Sequence, residues 1–209
     1  MLRLHDCAAS ANGYKVRLLL AQLRRPYELV EVDIFRGESR TPAFLEGNPS
    51  GQIPVLQLEG GQWLPESNAI LFYLAQGTVL LSDDPAIRAR TLGWMFFEQN
   101  AVEPKLGSAR FWILSGRDKG REAALAYLKE AGKGALETME RHLQRYSFFV
   151  EEHYSVADIA LYAYSHLAPE AGVSLGPFPA VRAWIARVEA QPDFFPGPAP
   201  YPANARVDL

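Results

Sequence analysis

Residues 48–70 read NPSGQIPVLQLEGGQWLPESNAI, two short apolar runs around Glu59-Gly60-Gly61 followed by a helix that opens at Glu66-Ser67. Two such runs about a Gly-Gly turn read as a β-hairpin. Proline is uncommon at a strand opening unless it lies at an edge or a turn, so Ile53-Pro54 marks the rim of a sheet. A cis bond before Pro54 turns the N–H and C=O of Ile53 outward. An extended peptide then pairs with them as an added strand would. The helix start after the hairpin presents unpaired N–H groups and a partial positive charge, a seat for a carboxylate. Ser67 adds a hydroxyl donor, and Glu66 an acceptor for an ammonium. Standing alone, Glu-Ser at a helix start is an ordinary cap. Beside a peptide-accepting edge, it points to a small peptide ligand.

Working outward, the first third alternates strands and helices. Leu2 and Leu4 alternate with Arg3 and His5 as a short strand does. In GYKVRLLLAQLRR, Val16, Leu19, Leu20 and Leu23 follow the spacing of a helix face, and Pro26 ends it. YELVEVD (27–33) reads as a second strand and ESRTPAFLEGNP (38–49) as a short helix with its stop. ESNAILFYLAQG (66–77) is a helix that closes at Gly77. The order βαβ, then αββα, describes an α/β domain.

Beyond Asp84 the strand signals stop. Asp84 as N-cap and Pro85 at the first helical position open a long helix over 85–115, with Pro104 marking a kink or break. A second long helix spans about Asp118 to Tyr146, weakened in the middle by Gly132 and Gly134. Ser155 and Asp158 form a capping box with Asp in place of Glu, flanked by Tyr154 and Ile159 as a hydrophobic staple. Val181, Trp184, Ile185 and Val188 share one face of a last helix, and a proline-rich tail follows Pro192. Alternation followed by helices alone implies two domains: an α/β domain over 1–78, a linker over 79–84, and an all-α domain over 85–209 with an extended tail.

Composition excludes several classes. A net charge of -3 gives no attraction to nucleic acid or an anionic membrane. The single cysteine, Cys7, forms no internal disulfide, which suits a reducing, cytoplasmic setting. The start MLRLHDCAAS carries no leader-like apolar run, and no apolar stretch is long enough to span a membrane. His5, His142, His153 and His166 are scattered, so no metal site is expected.

The stretches NPSGQIPVL (48–56) and ESNAI (66–70) resemble the glutathione-binding signature of the glutathione transferases. SANGYKVRLLLAQLRRPYELVEVD is similar to that family's first helix and second strand, and YSVADIALYAY (154–164) to its capping-box helix. The resemblance implies a thioredoxin-like N-terminal domain of order βαβαββα and an all-α C-terminal domain. It implies glutathione as co-substrate with no permanent cofactor, and a homodimer. Ile53, Pro54, Glu66 and Ser67 would hold the cysteinyl and γ-glutamyl parts of the tripeptide. Gln52 would reach its backbone or glycine end, and Arg40 would pair with the glycine carboxylate or simply be solvated.

LHDCAAS (4–10) offers two candidates for the chemistry. Cys7-Ala8-Ala9-Ser10 looks like half of a dithiol motif. In the family, however, the catalytic serine or cysteine lies at the loop-to-helix junction, six residues before a small apolar helix position, and counting back from Val16 gives Ser10. Cys7 is three residues too early and reads as a structural thiol. Ser10 would donate to the glutathione thiolate, a role compatible with helix capping, and Asn12 would assist or replace it. Tyr14, inside the helix, is a poor substitute, so the chain resembles the serine- or cysteine-type classes such as zeta, tau or beta. Trp94, Phe97, Phe111 and Trp112, with Arg110 as the one charge, are candidates for a second-substrate pocket; aromatics at helical spacing read equally as core. The same site would serve a transferase acting on a small electrophile, an isomerase or dehalogenase, or a disulfide reductase. The fold also serves as a non-catalytic interaction module.

Overall fold

The alternation Leu2-Arg3-Leu4-His5 does build a strand, and it lies inside the sheet. The computed structural model describes residues 1–150 and 152–206. Strand β1 (Leu2–Asp6) is followed by α1 (Ala11–Gln22), β2 (Tyr27–Glu31), α2 (Pro42–Gly47), β3 (Val55–Gln57), β4 (Trp63–Pro65) and α3 (Ser67–Leu74). The sheet runs in the order β2-β1-β3-β4. β1 pairs parallel with β2, Leu4 facing Leu29, and antiparallel with β3, Leu4 facing Leu56. β3 and β4 are the expected hairpin, Leu56 opposite Leu64. This is the thioredoxin-like order βαβαββα, followed by helices alone. The chain divides into two compact units: Met1–Gln76 with Pro192–Pro200, and Gly77–Gln191 with Tyr201–Leu209.

Helix α1 is buried on every face from Tyr14 to Leu20, which one apolar stripe does not anticipate. Part of the cover is the tail. The Tyr14 hydroxyl donates to the carbonyl of Phe195 at 2.6 Å, the two rings meet edge to face at 5.4 Å, and Ala199 N–H donates to Ala8 C=O at 3.0 Å. Two charged residues, Lys15 and Arg17, are buried with the helix.

Arg17 shapes the loop between β1 and α1. Its guanidinium donates to the Asp6 carboxylate and to the carbonyls of Cys7 (3.2 Å), Ala8 (2.9 Å) and Ser10 (3.4 Å). A planar fork of five donors suits several carbonyls splayed around one centre. Asp6 is fully buried, and its carboxylate lies directly against Gly13; a Cβ there would fall 1.8 Å from Asp6 Oδ1. Glycine is required at position 13 by that close approach.

A second cluster holds the other wall. Val32, Phe44 and Val55 are buried together, with Ile34, Ile53 and Trp63 packed on them. Trp63 stacks on His5 at 4.4 Å and meets Phe44 edge to face at 5.4 Å. This fixes the segment that leads into Pro54.

In the helical unit, Asp84 caps α4 (Pro85–Phe97) by accepting from the N–H groups of Ala86 (2.8 Å) and Ile87 (3.0 Å). Pro104 neither ends nor breaks the rod: the chain widens to a π-helical stretch over Glu98–Gly107 and continues as α5 (Ser108–Ser115). Helix α6 is Glu122–Leu143, shorter at both ends than the sequence suggests. Its Gly132 is a packing residue, since a Cβ there would lie 2.6 Å from Leu106 Cδ2 on the π-helical stretch. Helices α7 (Val156–Ser165) and α8 (Pro179–Glu189) complete the unit.

The capping box of α7 is present and extends further than a box. Asp158 accepts from the N–H and hydroxyl of Ser155 (2.9 and 3.1 Å), from Phe149 N–H (3.1 Å) and from Trp184 Nε1 (2.9 Å). Burial raises the Asp158 carboxyl to about 6 against the downward pull of the four donors. Asp158→Ala strands those buried donors, so we expect a loss of about 3 kcal/mol in unfolding free energy, read from urea denaturation. A loss under about 1 kcal/mol would show the donors finding other partners. Gly13→Ala drives a methyl into the Asp6 carboxylate, and we expect it to cost about 2 kcal/mol by the same measurement.

Candidate functional site

Ser10 is the N-cap of α1, with extended backbone (φ -74, ψ 124), and its Oγ accepts from Gly13 N–H at 3.0 Å. The cap engages a lone pair and leaves the hydroxyl proton to donate elsewhere. The loop below Ser10 is closed by its own N–H, which donates to Cys7 C=O at 2.8 Å, and by the Arg17 fork. Burial pushes the Asp6 carboxyl up to about 7, against the pull of Arg17. Cys7 is buried, and burial pushes its thiol up as well, away from the thiolate that nucleophilic chemistry needs.

Asn12 lies on the first turn of α1, and its Oδ1 accepts from Ser67 Oγ at 3.3 Å. Ser67 is buried and is the first residue of α3. The N-termini of two helices therefore meet through one hydrogen bond. Behind them lies Lys15, its side chain wholly buried, with Nζ 3.4 Å from Ser67 Oγ. The helical spacing of α1 gave no sign of this cation; its position between Tyr14 and Val16, inside an apolar helix, was the available signal.

Glu66 precedes α3 in an unusual conformation, φ 71 and ψ 111, which a residue with a Cβ rarely adopts. It makes no side-chain cap, so the Glu-Ser pair is not the ordinary cap of the sequence reading. Such strain, on the order of 1 kcal/mol or more, collects at functional sites. The exposed Glu66 carboxylate is left beside the N–H groups of α3.

The Ile53-Pro54 bond is cis. Among the described residues, neither the N–H nor the C=O of Ile53 has a backbone partner. The turn before it is built by Asn48, whose Nδ2 donates to Gln52 C=O at 2.8 Å while its Oδ1 accepts from the Ser50 hydroxyl at 3.0 Å. Asn48 read in the sequence only as a helix stop; the buried amide is a turn-builder. Gln52 and Arg40 are exposed, and Arg40 donates to Ser50 C=O at 2.8 Å. Ser10, Asn12, Arg40, Gln52, Ile53, Pro54, Glu66 and Ser67 thus all lie in the first unit.

The five residues expected around a second substrate lie in the helical unit and separate into groups. Trp94 meets Phe97 (5.4 Å), His142 (4.7 Å) and Phe149 (4.7 Å) in one aromatic cluster. Arg110 is buried, paired with Glu170 at 2.6 Å and stacked on the Tyr201 ring at 4.7 Å; Phe111 meets the same ring at 6.3 Å. Trp112 lies under Arg121 at 5.0 Å. Among the described residues, no three His, Cys, Asp or Glu side chains converge as metal ligands, and no helix is long and apolar enough to cross a membrane.

Comparison with known proteins places this geometry. The family model described as glutathione S-transferase, N-terminal domain, matches residues 9–76, and the one described as glutathione S-transferase, C-terminal domain, matches residues 99–192. A crystal structure of a glutathione S-transferase from Pseudomonas fluorescens is 45% identical, with a TM-score of 0.91 over 93% of this chain and 98% of that one. A glutathione transferase family member from the same species, solved with two glutathione bound, is 28% identical, with a TM-score of 0.80 over 92% of this chain and 89% of that one. Among curated proteins, the disulfide-bond oxidoreductase YfcG of Escherichia coli is 31% identical over 192 residues, covering 88% of this chain and 89% of its own. The chain belongs to the glutathione S-transferase family.

Proposed function

We propose that this protein binds glutathione in its first unit, ionises the thiol and directs the sulfur at a small soft electrophile. The observation that carries this reading is the Ser67–Asn12 hydrogen bond of 3.3 Å. It brings the N-terminus of α3, a seat for a carboxylate, next to the N-terminus of α1, a seat for a thiolate. The Ile53 N–H and C=O offer the strand-like pairing that the cysteinyl residue of a tripeptide needs. Glu66 receives the γ-glutamyl ammonium. Arg40 and Gln52 serve the glycine end.

The chemistry follows from thiol ionisation. A free thiol, with pKa about 8.5, is only a few per cent thiolate at neutral pH, and the thiolate is the nucleophile. A hydroxyl proton from Ser10, with the positive end of α1 behind it, lowers that pKa by about one or two units. Ser10 is a donor to sulfur and forms no covalent bond. Family likeness is also the ground for taking residues 1–78 as the glutathione-binding domain, 79–84 as a linker and 85–209 as the all-α domain of a cytoplasmic homodimer. There Trp94, Phe97, Arg110, Phe111 and Trp112 remain the candidates for contact with the second substrate.

A second reading rests on the similarity to a disulfide-bond oxidoreductase. The glutathione thiolate attacks a disulfide, one thiol leaves with a proton, and a second glutathione resolves the mixed disulfide. The products are two thiols and glutathione disulfide. The released thiols are the two halves of the substrate disulfide, and the attacking and resolving thiols both come from glutathione, so a serine at position 10 and a buried Cys7 suffice.

Calorimetry with glutathione and thiolate absorbance of the bound tripeptide test the shared step. We expect Glu66→Gln to weaken binding about tenfold, the worth of one hydrogen bond to a charged group. Ser10→Ala should raise the bound thiol pKa by about one unit or more, and Cys7→Ala should change neither quantity. Absence of binding at millimolar glutathione would move the protein to the non-catalytic interaction modules. Turnover with a disulfide but with no electrophile would select the second reading.

A further inference from the structure

Lys15 stands out as the one ammonium wholly enclosed in the first unit, at 0% exposure. Removing an ammonium from water costs several kcal/mol before compensation, so its surroundings are worth tracing. One of its neighbours is Ser67 Oγ, at 3.4 Å. Ser67 Oγ in turn lies 3.3 Å from Asn12 Oδ1. Elementary chemistry fixes the direction of the first link, and the structure gives the direction of the second. An ammonium only donates, so Ser67 must accept from Lys15. The single Ser67 proton then goes forward to Asn12. Asn12 therefore turns its oxygen toward Ser67, and its NH2 is left to donate elsewhere on the first turn of α1.

We propose that Lys15 is a positioning residue that acts through Ser67 to hold the Asn12 amide with its NH2, rather than its oxygen, presented to the sulfur of bound glutathione. This rests on the glutathione reading above and assigns a residue to the same site. The Lys15 charge, beside Ser67 Oγ, favours the Asn12 oxygen over its NH2 on that side; without it, both Ser67 lone pairs are open to Asn12 Nδ2 and the amide can turn over. Its oxygen would then face the thiolate, where an acceptor repels the anion. Lys15 so decides whether Asn12 stabilises or opposes ionisation. The seat of the γ-glutamyl end and the seat of the sulfur become parts of one hydrogen-bonded line. Sequence spacing hides this line, because Asn12 and Lys15 are one turn apart on α1 while Ser67 opens a different helix.

The test is a cycle of Lys15→Met and Asn12→Ala, with the pKa of the bound glutathione thiol read by thiolate absorbance. Methionine keeps the length and apolar stem without the donor. We expect Lys15→Met to raise the bound thiol pKa by about one unit in the otherwise native protein and to add nothing in the Asn12→Ala background. An equal rise in both backgrounds would mean a direct charge effect on sulfur and would overturn the inference, as would no rise at all. The native protein supplies a check that does not depend on folding of the variants. The Asn12 side-chain NH2 resonances, observed by 15N-Asn labelling, should shift as the bound thiol titrates; resonances indifferent to that titration would also overturn it. Should the native protein leave glutathione un-ionised, the functional reading fails first and takes this inference with it. Ionisation that persists in native protein and Lys15→Met alike removes the inference and leaves the reading standing.

Discussion

One buried guanidinium sets the stage for everything else in the first unit. Arg17 gathers the Asp6 carboxylate and the carbonyls of Cys7, Ala8 and Ser10 around a single planar group. Loop carbonyls taken from water need partners, and four separate donors would have to be brought together to replace this one. The constraint extends in both directions. Toward the sheet, it locks the end of β1 through Asp6. Toward the helix, it fixes the level at which Ser10 stands above the first turn of α1. Gly13 belongs to the same arrangement, because only a missing Cβ lets Asp6 come so close.

The first unit thus departs from the usual division of labour between apolar interior and polar surface. Its central helix carries two cations inward, and each faces the site from behind: Arg17 through backbone carbonyls, Lys15 through the Ser67 hydroxyl. Burial strengthens electrostatic interactions by lowering the local dielectric, which suits a site expected to stabilise an anion. The helical unit places its polar expense differently. There Asp158 ties the start of α7 to Trp184 of α8 and to the backbone at Phe149, a joint between elements with no ligand in view.

Much of this was legible in the residues. The hairpin at 53–65 and the Asp84 and Ser155 caps rest on local rules, and the structure has them. The order βαβαββα followed by helices alone was equally readable, because strand alternation and helix spacing survive in short windows. Ser10, to which the family resemblance pointed by counting back from Val16, is the N-cap of α1. What stayed hidden depends on distant partners. The burial of Lys15 and Arg17 is one such feature, since it depends on the tail and α3 packing against α1. Asn48 read as a stop until its amide met Gln52. Pro104 read as a kink because a proline removes one hydrogen bond of an α-helix; a wider π turn absorbs the loss without breaking the rod. Gly132 read as a weak point, whereas its missing side chain makes room for Leu106.

The return of residues 192–200 to the first unit bears on how the chain is made. The Tyr14 hydroxyl and the Ala8 carbonyl wait for Phe195 and Ala199, and Phe195 is made 181 residues after Tyr14. Until then, the thioredoxin-like part is an incomplete body with one face of α1 uncovered, while the helical part between has already been synthesised. The stitch that completes the first unit joins residues far apart in sequence, so that unit is finished only after the helices between them have been synthesised.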